Sequence, residues 1–389
     1  MKVGIDAISF YTPAMYLSME QLAKARNEDP NKYLIGIGQQ EQSVVPNTQD
    51  VVTMAANAAE QIINDDNRAK IDLVIFGTES GIDNSKSAAI YLQTLLELSP
   101  RTRAFETKQA CYGATAGLQM ARDYVQLHPD KQALVIGADV ARYGLNTPGE
   151  VTQGGGAVAM IVSANPRIIS FDGNSAFYSK DIMDFWRPLH TTEAIVDGHY
   201  SNDVYVNFFK ETWNQYQQIT DLSIADLSAM IFHLPYPKMG IKGLRAVLPE
   251  ATPDKQAELK TAFSFGSMYN KRVGNLYTGS LYLSLLSLID NDDHLKVGDT
   301  VGLFSYGSGA QGEFFTGQVE AGFFDANRKQ RMQTMLNSRR QLSVPEYESI
   351  FNSWPKIKAG DLILSVSDDD AKFVFAGVKD DQRQYLNRK

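Results

Sequence analysis

The chain has 389 residues, 43% of them hydrophobic and 21% charged, with a formal net charge of −8. This composition is typical of a folded globular protein, and the net negative charge argues against a nucleic-acid partner. No apolar run approaches the roughly 20 residues that a transmembrane helix requires, so we expect no membrane partner. The single cysteine, Cys111, excludes an intramolecular disulfide. Together with the absence of a signal peptide pattern, it predicts a cytoplasmic protein.

Apolar strands and helices alternate along the first part of the chain. Strands are predicted at 3–10, 71–79, 104–110, 133–139 and 157–162, and helices after Ser18 and at 50–63, 86–98 and 111–127. This alternation favours layered α/β architecture over segregated helices and strands. The start of a helix lowers the pKa of a thiol, so the predicted position of Cys111 favours a reactive thiolate.

The second part of the chain repeats this pattern. Strands are predicted at 168–171, 229–232 and 300–309, and helices after Pro237 and at 203–218, 254–265 and 278–289. Beyond residue 325 the chain is more charged, but the runs 362–364 and 373–376 are strand-like, which predicts a folded tail. We therefore predict two similar α/β halves, 1–166 with Glu79 and Cys111, and 167–389 with His233 and Asn275.

Those polar residues follow apolar strands or begin helices, where α/β folds gather their ligands. A cysteine, a histidine and a third polar group suit nucleophilic catalysis on an acyl carbon, and a strand-end glutamate can move a proton. Each residue also has a structural interpretation that the sequence leaves open. For Cys111 this interpretation is an inert thiol packed in the core, and for Glu79 it is a carboxylate at the start of a helix. For His233 it is a core histidine with its hydrogen bonds satisfied, and for Asn275 it is a residue that holds a left-handed turn.

Lys238 and Lys242 are spaced to share one helix face, which suits either a phosphate site or a solvated basic face. The glycine clusters at 154–156 and 307–309 lack the lysine and spacing of nucleotide-binding loops and are interpreted as tight turns near a ligand. No spacing of histidine, cysteine and carboxylate residues suggests a metal site, so none is expected.

Several of these motifs, in this order, resemble those of 3-hydroxy-3-methylglutaryl-CoA synthases, and the short bacterial form in particular. The matching runs are 110–113, 137–143, 184–188, 232–236 with the lysines that follow, 274–278 and 304–309. The resemblance covers nearly the whole chain. One departure is Ala114, where many members of the family carry glycine, which narrows the space beside the thiol without removing a functional group.

The resemblance implies a thiolase-like αβαβα fold of two related halves, and a homodimer. It also implies that acetyl-CoA acetylates Cys111 and that the acetyl enzyme condenses with acetoacetyl-CoA. Hydrolysis then releases 3-hydroxy-3-methylglutaryl-CoA, as in the mevalonate pathway of isoprenoid synthesis. The coenzyme A thioesters are substrates, so no cofactor is expected.

The resemblance also implies roles for individual residues. Glu79 would be the general acid and base, and His233 would orient the acetoacetyl group with help from Asn275. The further positions implied for substrate binding are Tyr143, Thr152 and Ser308 at the acyl pocket, Lys238 and Lys242 at the phosphates of coenzyme A, and Arg187 in support of the site together with Asp139 and Asp184.

Two other classes of function remain open at this stage. Thiolases and β-ketoacyl synthases share the fold and a nucleophilic cysteine, although a thiolase normally uses a second cysteine as its base and this chain has one cysteine in all. A coenzyme A-binding protein without catalytic activity is the other alternative.

Overall fold

The computed structural model describes residues 1–354 and 360–388 of the chain. The strands are β1 (Val3–Tyr11), β2 (Met15–Ser18), β3 (Glu41–Ser43), β4 (Ile71–Gly77), β5 (Arg103–Thr107), β6 (Gln132–Ala141), β7 (Gly154–Ala164), β8 (Ile169–Ser179), β9 (Phe185–Trp186), β10 (Ile195–Val196), β11 (Ala229–Phe232), β12 (Thr300–Gly307), β13 (Gln311–Val319), β14 (Arg340–Gln341), β15 (Leu362–Ile363), β16 (Phe373–Lys379) and β17 (Gln382–Asn387). The α-helices are α1 (Met19–Ala25), α2 (Val51–Ala59), α3 (Asp65–Arg68), α4 (Ala88–Leu95), α5 (Gly113–Leu127), α6 (Gly198–Thr220), α7 (Pro237–Val247), α8 (Pro253–Gly266), α9 (Asn270–Val273), α10 (Ser280–Asn291), α11 (Ala326–Asn337) and α12 (Val344–Ser353).

A large central sheet organises the fold. Within the described residues its strand order is β11-β12-β13-β8-β1-β7-β6-β4-β5. The strands β4, β5 and β6 run parallel to one another, as do β11 and β12. Strand β1 joins the two groups of strands through antiparallel pairing of Val3 with Phe171 and of Ile5 with Ile169. The sheet therefore continues from one half of the fold into the other.

The helices lie in layers on both faces of this sheet. Along β4, Leu73 and Ile75 pack in the central core with α5 and α10, whereas Val74 and Phe76 pack in an outer core with α2 and α4. Successive side chains of a strand point to opposite faces, which explains why a strand covered on both faces is apolar throughout.

A third core, which includes Phe304, joins β11–β13 to α6, α7 and α8. The central core also contains Ile231 of β11 and Leu303 of β12, so α5 and α10 lie between the two parts of the sheet. With further helices outside each part, this arrangement confirms the predicted αβαβα layering.

Helix α10 explains the longest apolar run in the sequence. Every residue from Ser280 to Asn291 is buried because the helix lies between layers. Its serines satisfy their hydroxyl groups inside the protein, as Ser287 does by donating to the carbonyl oxygen of Phe265. Among the described residues, no helix combines the length and apolarity needed to cross a bilayer.

Some predicted boundaries differ from the structure. Helix α5 begins at Gly113, so Cys111 lies in the turn before the helix and does not open it. Strand β8 continues to Ser179 because its polar outer part pairs with β13, which apolar patterning does not reveal. The tail is folded, as predicted, but also contains α11 and α12. The predicted half 167–389 includes residues 355–359 and 389, which lie outside the described residues, and its boundary near residue 166 stays a prediction.

The end of β4 and the start of α5 touch through their backbones. A Cβ atom at Gly77 would lie 2.4 Å from the backbone nitrogen of Ala114 and 2.6 Å from its Cα. Only glycine permits so close an approach, since real Cβ atoms keep a larger separation. This contact fixes the residue that follows β4 relative to the turn that precedes α5.

We expect Gly77→Ala to destabilise the fold, because the added methyl group meets helix backbone that cannot move aside. Overpacking of this kind costs about 1–3 kcal/mol, to be measured as the free energy of unfolding in urea. The matched control is Gly198→Ala at the start of α6, where a Cβ atom would meet nothing within 4 Å. Equal stability of the two variants would contradict the proposed close contact.

Candidate active site

Glu79 and Cys111 meet although they belong to different connections of the sheet. Glu79 follows β4, and Cys111 lies in the turn between β5 and α5. The Sγ of Cys111 donates a hydrogen bond of 3.3 Å to Oε1 of Glu79. Both side chains are buried, so this pair of a thiol and a carboxyl group is largely shielded from water. The structure thus brings together two of the predicted catalytic residues.

Arg187 completes this group from a loop far away in the sequence. Its Nη2 donates to Oε2 of Glu79 at 3.1 Å, so the two oxygens of the carboxyl group have different partners. Burial raises the pKa of Glu79 to about 7, and the charge of Asp139 adds to this rise, while Arg187 and the Cys111 thiol oppose it. A carboxyl group with a pKa near 7 can both accept and return a proton.

The pKa of Cys111 differs from the sequence-based expectation. Burial, followed by the charge and hydrogen bond of Glu79, raises the thiol pKa well above its ordinary value. The expectation of a lowered pKa was wrong because the thiol lies before the helix and faces a carboxylate in a dry site. In the free protein Cys111 is therefore a protonated donor to Glu79.

Asp139 holds the loop that carries Glu79. Its Oδ1 accepts hydrogen bonds from the backbone nitrogens of Glu79 at 2.8 Å and Ser80 at 2.9 Å, and from Thr78 Oγ1 at 2.9 Å. Its Oδ2 accepts from the hydroxyl of Thr278 at 2.6 Å and from the Thr278 nitrogen at 3.1 Å. Asp139 is fully buried and joins the loop after β4 to the start of the segment that leads into α10.

Asp184 holds a second loop of the site in a similar way. It accepts from the hydroxyl of Tyr306 at 2.7 Å and from the backbone nitrogen of Gly309 at 2.9 Å. These bonds fix the turn after β12, which carries Ser308. Ser308 lines the same cleft of about 940 Å³ as Glu79 and Arg187.

Three aromatic side chains, Tyr143, Phe185 and Tyr277, form a wall beside the thiol of Cys111. Tyr143, Phe185 and Tyr277 pack edge to face, with ring centroids 5.8–6.1 Å apart, in one cluster with Cys111. Nδ2 of Asn275 donates to the hydroxyl of Tyr143 at 3.2 Å, and its Oδ1 accepts from the backbone nitrogen of Tyr277 at 2.8 Å. The left-handed backbone near Asn275 belongs to Gly274 and Tyr277 instead, so Asn275 is a hydrogen-bonding residue of this wall.

His233 is buried at the end of β11. Its backbone nitrogen donates to the carbonyl oxygen of Phe304 at 2.8 Å, and its carbonyl oxygen accepts from the hydroxyl of Tyr205 at 2.8 Å. Nδ1 of the ring has no partner among the described residues, so His233 is not a satisfied core histidine. Burial lowers its pKa to about 3, which keeps the imidazole neutral. No hydrogen bond in the described part of the chain joins it to Cys111 or Glu79.

The remaining predicted residues lie apart from the thiol and carboxyl group. The hydroxyl of Thr152 donates to the carbonyl oxygen of Gly149 at 2.9 Å, while the carbonyl oxygen of Thr152 accepts from the Asn275 nitrogen at 3.1 Å. Lys242 is exposed on α7 and donates to the hydroxyl of Tyr236 at 3.0 Å. Lys238 is half-buried on the same helix. Neither lysine lines the cleft at Glu79.

Sequence reasoning missed one prominent residue of this site. Tyr277 packs directly in the cluster around Cys111, yet no role was assigned to it. The available signal was its position in the motif 274–278, two residues after Asn275. Its aromatic character alone indicated only a core residue.

Comparisons with known proteins identify the family to which the chain belongs. Residues 1–167 match the family model "Hydroxymethylglutaryl-coenzyme A synthase N terminal", and residues 169–263 and 254–359 match its C-terminal counterpart. A hydroxymethylglutaryl-CoA synthase of Enterococcus faecalis is 46% identical over 387 residues, which cover 100% of each chain. The crystal structure of an HMG-CoA synthase complexed with CoA matches with a TM-score of 0.96 and 42% identity, covering 100% of both chains.

A further solved structure, of MvaS in complex with 3-hydroxy-3-methylglutaryl coenzyme A, has a TM-score of 0.89 and 35% identity and covers 100% of this chain and 99% of that one. These two solved structures thus hold CoA and 3-hydroxy-3-methylglutaryl coenzyme A, and they share the thiolase-like fold seen here. Because the family models and the Enterococcus relative extend over nearly all of the sequence, the chain belongs to the hydroxymethylglutaryl-CoA synthase family of enzymes.

Proposed function

We propose that this chain condenses acetyl-CoA with acetoacetyl-CoA and water to give 3-hydroxy-3-methylglutaryl-CoA and free coenzyme A, as a step of the mevalonate pathway. The observation that carries this proposal is the buried hydrogen bond of 3.3 Å between the Cys111 thiol and the Glu79 carboxyl group. It combines an acyl acceptor with a proton carrier in one site. The relatives bound to CoA and to the product support the substrate class.

In the first step the sulfur of Cys111 attacks the acetyl carbonyl carbon of acetyl-CoA. A new thioester forms on Cys111, the bond to the sulfur of coenzyme A breaks, and coenzyme A leaves as the thiol, which takes up the proton released from Cys111. One thioester replaces another, so this exchange needs no further reactant.

In the second step Glu79 removes a proton from the acetyl methyl group on Cys111. The resulting carbanion attacks the ketone carbon of acetoacetyl-CoA, and Glu79 returns the proton to the new tertiary alkoxide. Arg187 holds the second oxygen of Glu79 at 3.1 Å and thereby fixes the carboxyl group toward the thiol. Water then cleaves the thioester on Cys111 and releases the product.

The other predicted residues have supporting roles in this proposal. His233, neutral in its buried position, donates a hydrogen bond to the acetoacetyl group. Asn275 orients Tyr143, and Thr152 supports Asn275 through its backbone carbonyl group. Ser308 borders the acyl pocket from the cleft that it shares with Glu79.

Lys238 and Lys242 bind the phosphates of coenzyme A in this proposal. Both lie on α7, which begins a few residues after the buried His233, and Lys242 is exposed there. An exposed lysine near a buried histidine suits a long thioester whose acyl end is buried and whose nucleotide end is near solvent. The two thioesters are substrates, and the reaction as written requires no cofactor.

We also propose that each chain consists of two halves, 1–166 and 167–389. The family models divide at residues 167 and 169, which supports this boundary.

We propose in addition that the protein is a cytoplasmic homodimer. Strand β5 lies at one edge of the large sheet, where a second copy can continue the pairing. A monomer in sedimentation equilibrium would contradict the dimer.

The central test follows the acetyl group. We expect radiolabelled acetyl-CoA to leave acid-stable label on Cys111, and Cys111→Ala to abolish it. Addition of acetoacetyl-CoA should transfer the label into a branched acyl-CoA, identified by chromatography and mass spectrometry. A linear β-ketoacyl product would favour a thiolase or ketoacyl synthase, and binding of acetyl-CoA without turnover would favour a non-catalytic protein.

Glu79→Gln should separate acetylation from condensation. We expect acetylation of Cys111 to continue, because the variant loses the charge that raises the thiol pKa. Condensation should fall about 100- to 10,000-fold through loss of the proton carrier, measured as product formed per acetylated enzyme. The control is Glu320→Gln, which removes a carboxylate that pairs with Lys2 away from this site. Condensation at nearly the wild-type rate in Glu79→Gln would exclude the proposed role.

The pKa of Glu79 predicts the pH dependence of methyl deprotonation. Only the carboxylate form can accept the proton, and the raised pKa of about 7 means that this form is lost as the pH falls below about 7. Acetylation also removes the thiol hydrogen bond that lowers this pKa, so the midpoint should not lie below about 7. We expect deuterium uptake from solvent into acetyl-Cys111 to rise with pH through this range. A midpoint near the ordinary value of 4.5 would contradict the assignment.

A further inference from the structure

The loop 142–153 between β6 and β7 brings Tyr143 to the acyl site. The pairing of the two strands ends at Ala141 and Gly154, so beyond this point the strands supply no hydrogen-bond partners to the loop. The side chain of Gln153 takes their place. Its Oε1 accepts from the backbone nitrogen of Tyr143 at 2.8 Å and from that of the next residue at 3.2 Å. The buried last residue of the loop therefore holds the backbone of its first active-site residue.

A tyrosine from the tail of the chain fixes the orientation of the Gln153 amide. Two backbone N–H groups require an acceptor, so the amide oxygen faces them and the amide nitrogen points the other way. There Nε2 donates to the hydroxyl oxygen of Tyr347 in α12 at 2.6 Å, and this hydroxyl donates to Oε1 of Glu150 at 3.2 Å. Burial and the charge of Glu150 raise the pKa of Tyr347, so its hydroxyl stays protonated and keeps this direction.

Helix α12 also holds the residue before Tyr143. The guanidinium carbon of Arg142 lies 3.7 Å from the ring centroid of Phe351, and its Nη2 donates to the carbonyl oxygen of Phe351 at 3.1 Å. Phe351 and Tyr347 lie one helical turn apart, so they share a face of the helix. One face of α12 therefore fixes two consecutive residues at the start of the loop.

These contacts determine where the ring of Tyr143 lies. The ring packs in the cluster around Cys111, and its hydroxyl accepts from Nδ2 of Asn275 at 3.2 Å. Within the described residues, Gln153 has no hydrogen bond to Cys111 or Glu79, so its effect on the reaction passes through Tyr143. A shift of the Tyr143 backbone would move this ring and its hydroxyl relative to the acyl group.

We propose that Gln153 is a positioning residue of the acyl site, whose amide oxygen fixes the backbone of Tyr143 and whose amide group is oriented by the hydroxyl of Tyr347. This inference rests on the proposed function, in which Tyr143 lies at the acyl pocket. The tail helix thereby contributes to the site without touching the substrate. Binding of the coenzyme A phosphates is independent of these contacts, because Lys238 and Lys242 lie on a different helix, α7.

Gln153→Met tests this inference because methionine keeps the length of the side chain and removes both hydrogen-bonding groups. We expect kcat for product formation to fall about 10- to 100-fold, as a misplaced active-site group does, while KM for acetyl-CoA stays nearly the same. In a Tyr143→Phe background the same change should have a much smaller effect, because the hydroxyl that Gln153 positions is already absent. A fall in kcat by the same factor in both backgrounds, or a change confined to KM, would overturn the inference.

Tyr347→Phe is a milder second variant, which removes only the hydroxyl that orients the Gln153 amide. We expect kcat to fall about 2- to 10-fold, and Tyr143→Phe should again suppress most of this effect. The matched control is Tyr216→Phe, which removes a buried hydroxyl 2.7 Å from that of Thr316. It should lower the thermal unfolding midpoint as Tyr347→Phe does and should keep kcat unchanged. An equal fall of kcat in the control would show that lost stability alone accounts for the effect and would overturn the inference.

Wild-type protein assayed in parallel separates this inference from the proposed function. If wild-type protein forms no 3-hydroxy-3-methylglutaryl-CoA, the proposed function fails. If wild-type protein is active and both Gln153→Met and Tyr347→Phe retain its kcat, the role of Gln153 is overturned while the function stands.

Discussion

The carboxyl group of Glu79 is shared between the thiol of Cys111 and the guanidinium group of Arg187 in a site shielded from water. Burial would favour the neutral acid strongly, and Arg187 opposes that preference without cancelling it. The balance leaves a group that changes its protonation state near neutral pH. A surface glutamate would be ionised under the same conditions and would be a weaker base.

The fold keeps this balance constant by restricting where the carboxyl group can lie. Strand β4 ends against the backbone of α5 at Gly77, and Asp139 then binds the next residues through their backbone nitrogens. Asp139 has a second effect, because its negative charge adds to the rise in the Glu79 pKa. The same buried aspartate therefore sets both the position of the general base and part of its proton affinity.

The elements that position the site were largely predictable from the sequence, because apolar periodicity records burial. Strand β4 and helix α10 are examples, since each is covered on more than one side. The partners within the site were not predictable in the same way. Arg187 reaches Glu79 across 108 residues, and no local pattern encodes that contact. The thiol pKa was predicted in the wrong direction because it depends on a neighbouring charge and on burial, which spacing does not reveal.

Burial acts in the same sense on the ionisable groups around the acyl position. It raises the pKa of Cys111, Glu79 and Tyr277 and lowers that of His233, so each is favoured in its neutral form. A site of neutral donors suits the uncharged acyl end of a coenzyme A thioester. The energetic difficulty then falls on the moment at which an enolate or alkoxide oxygen becomes negative. Donors already fixed beside that oxygen need no rearrangement to stabilise it.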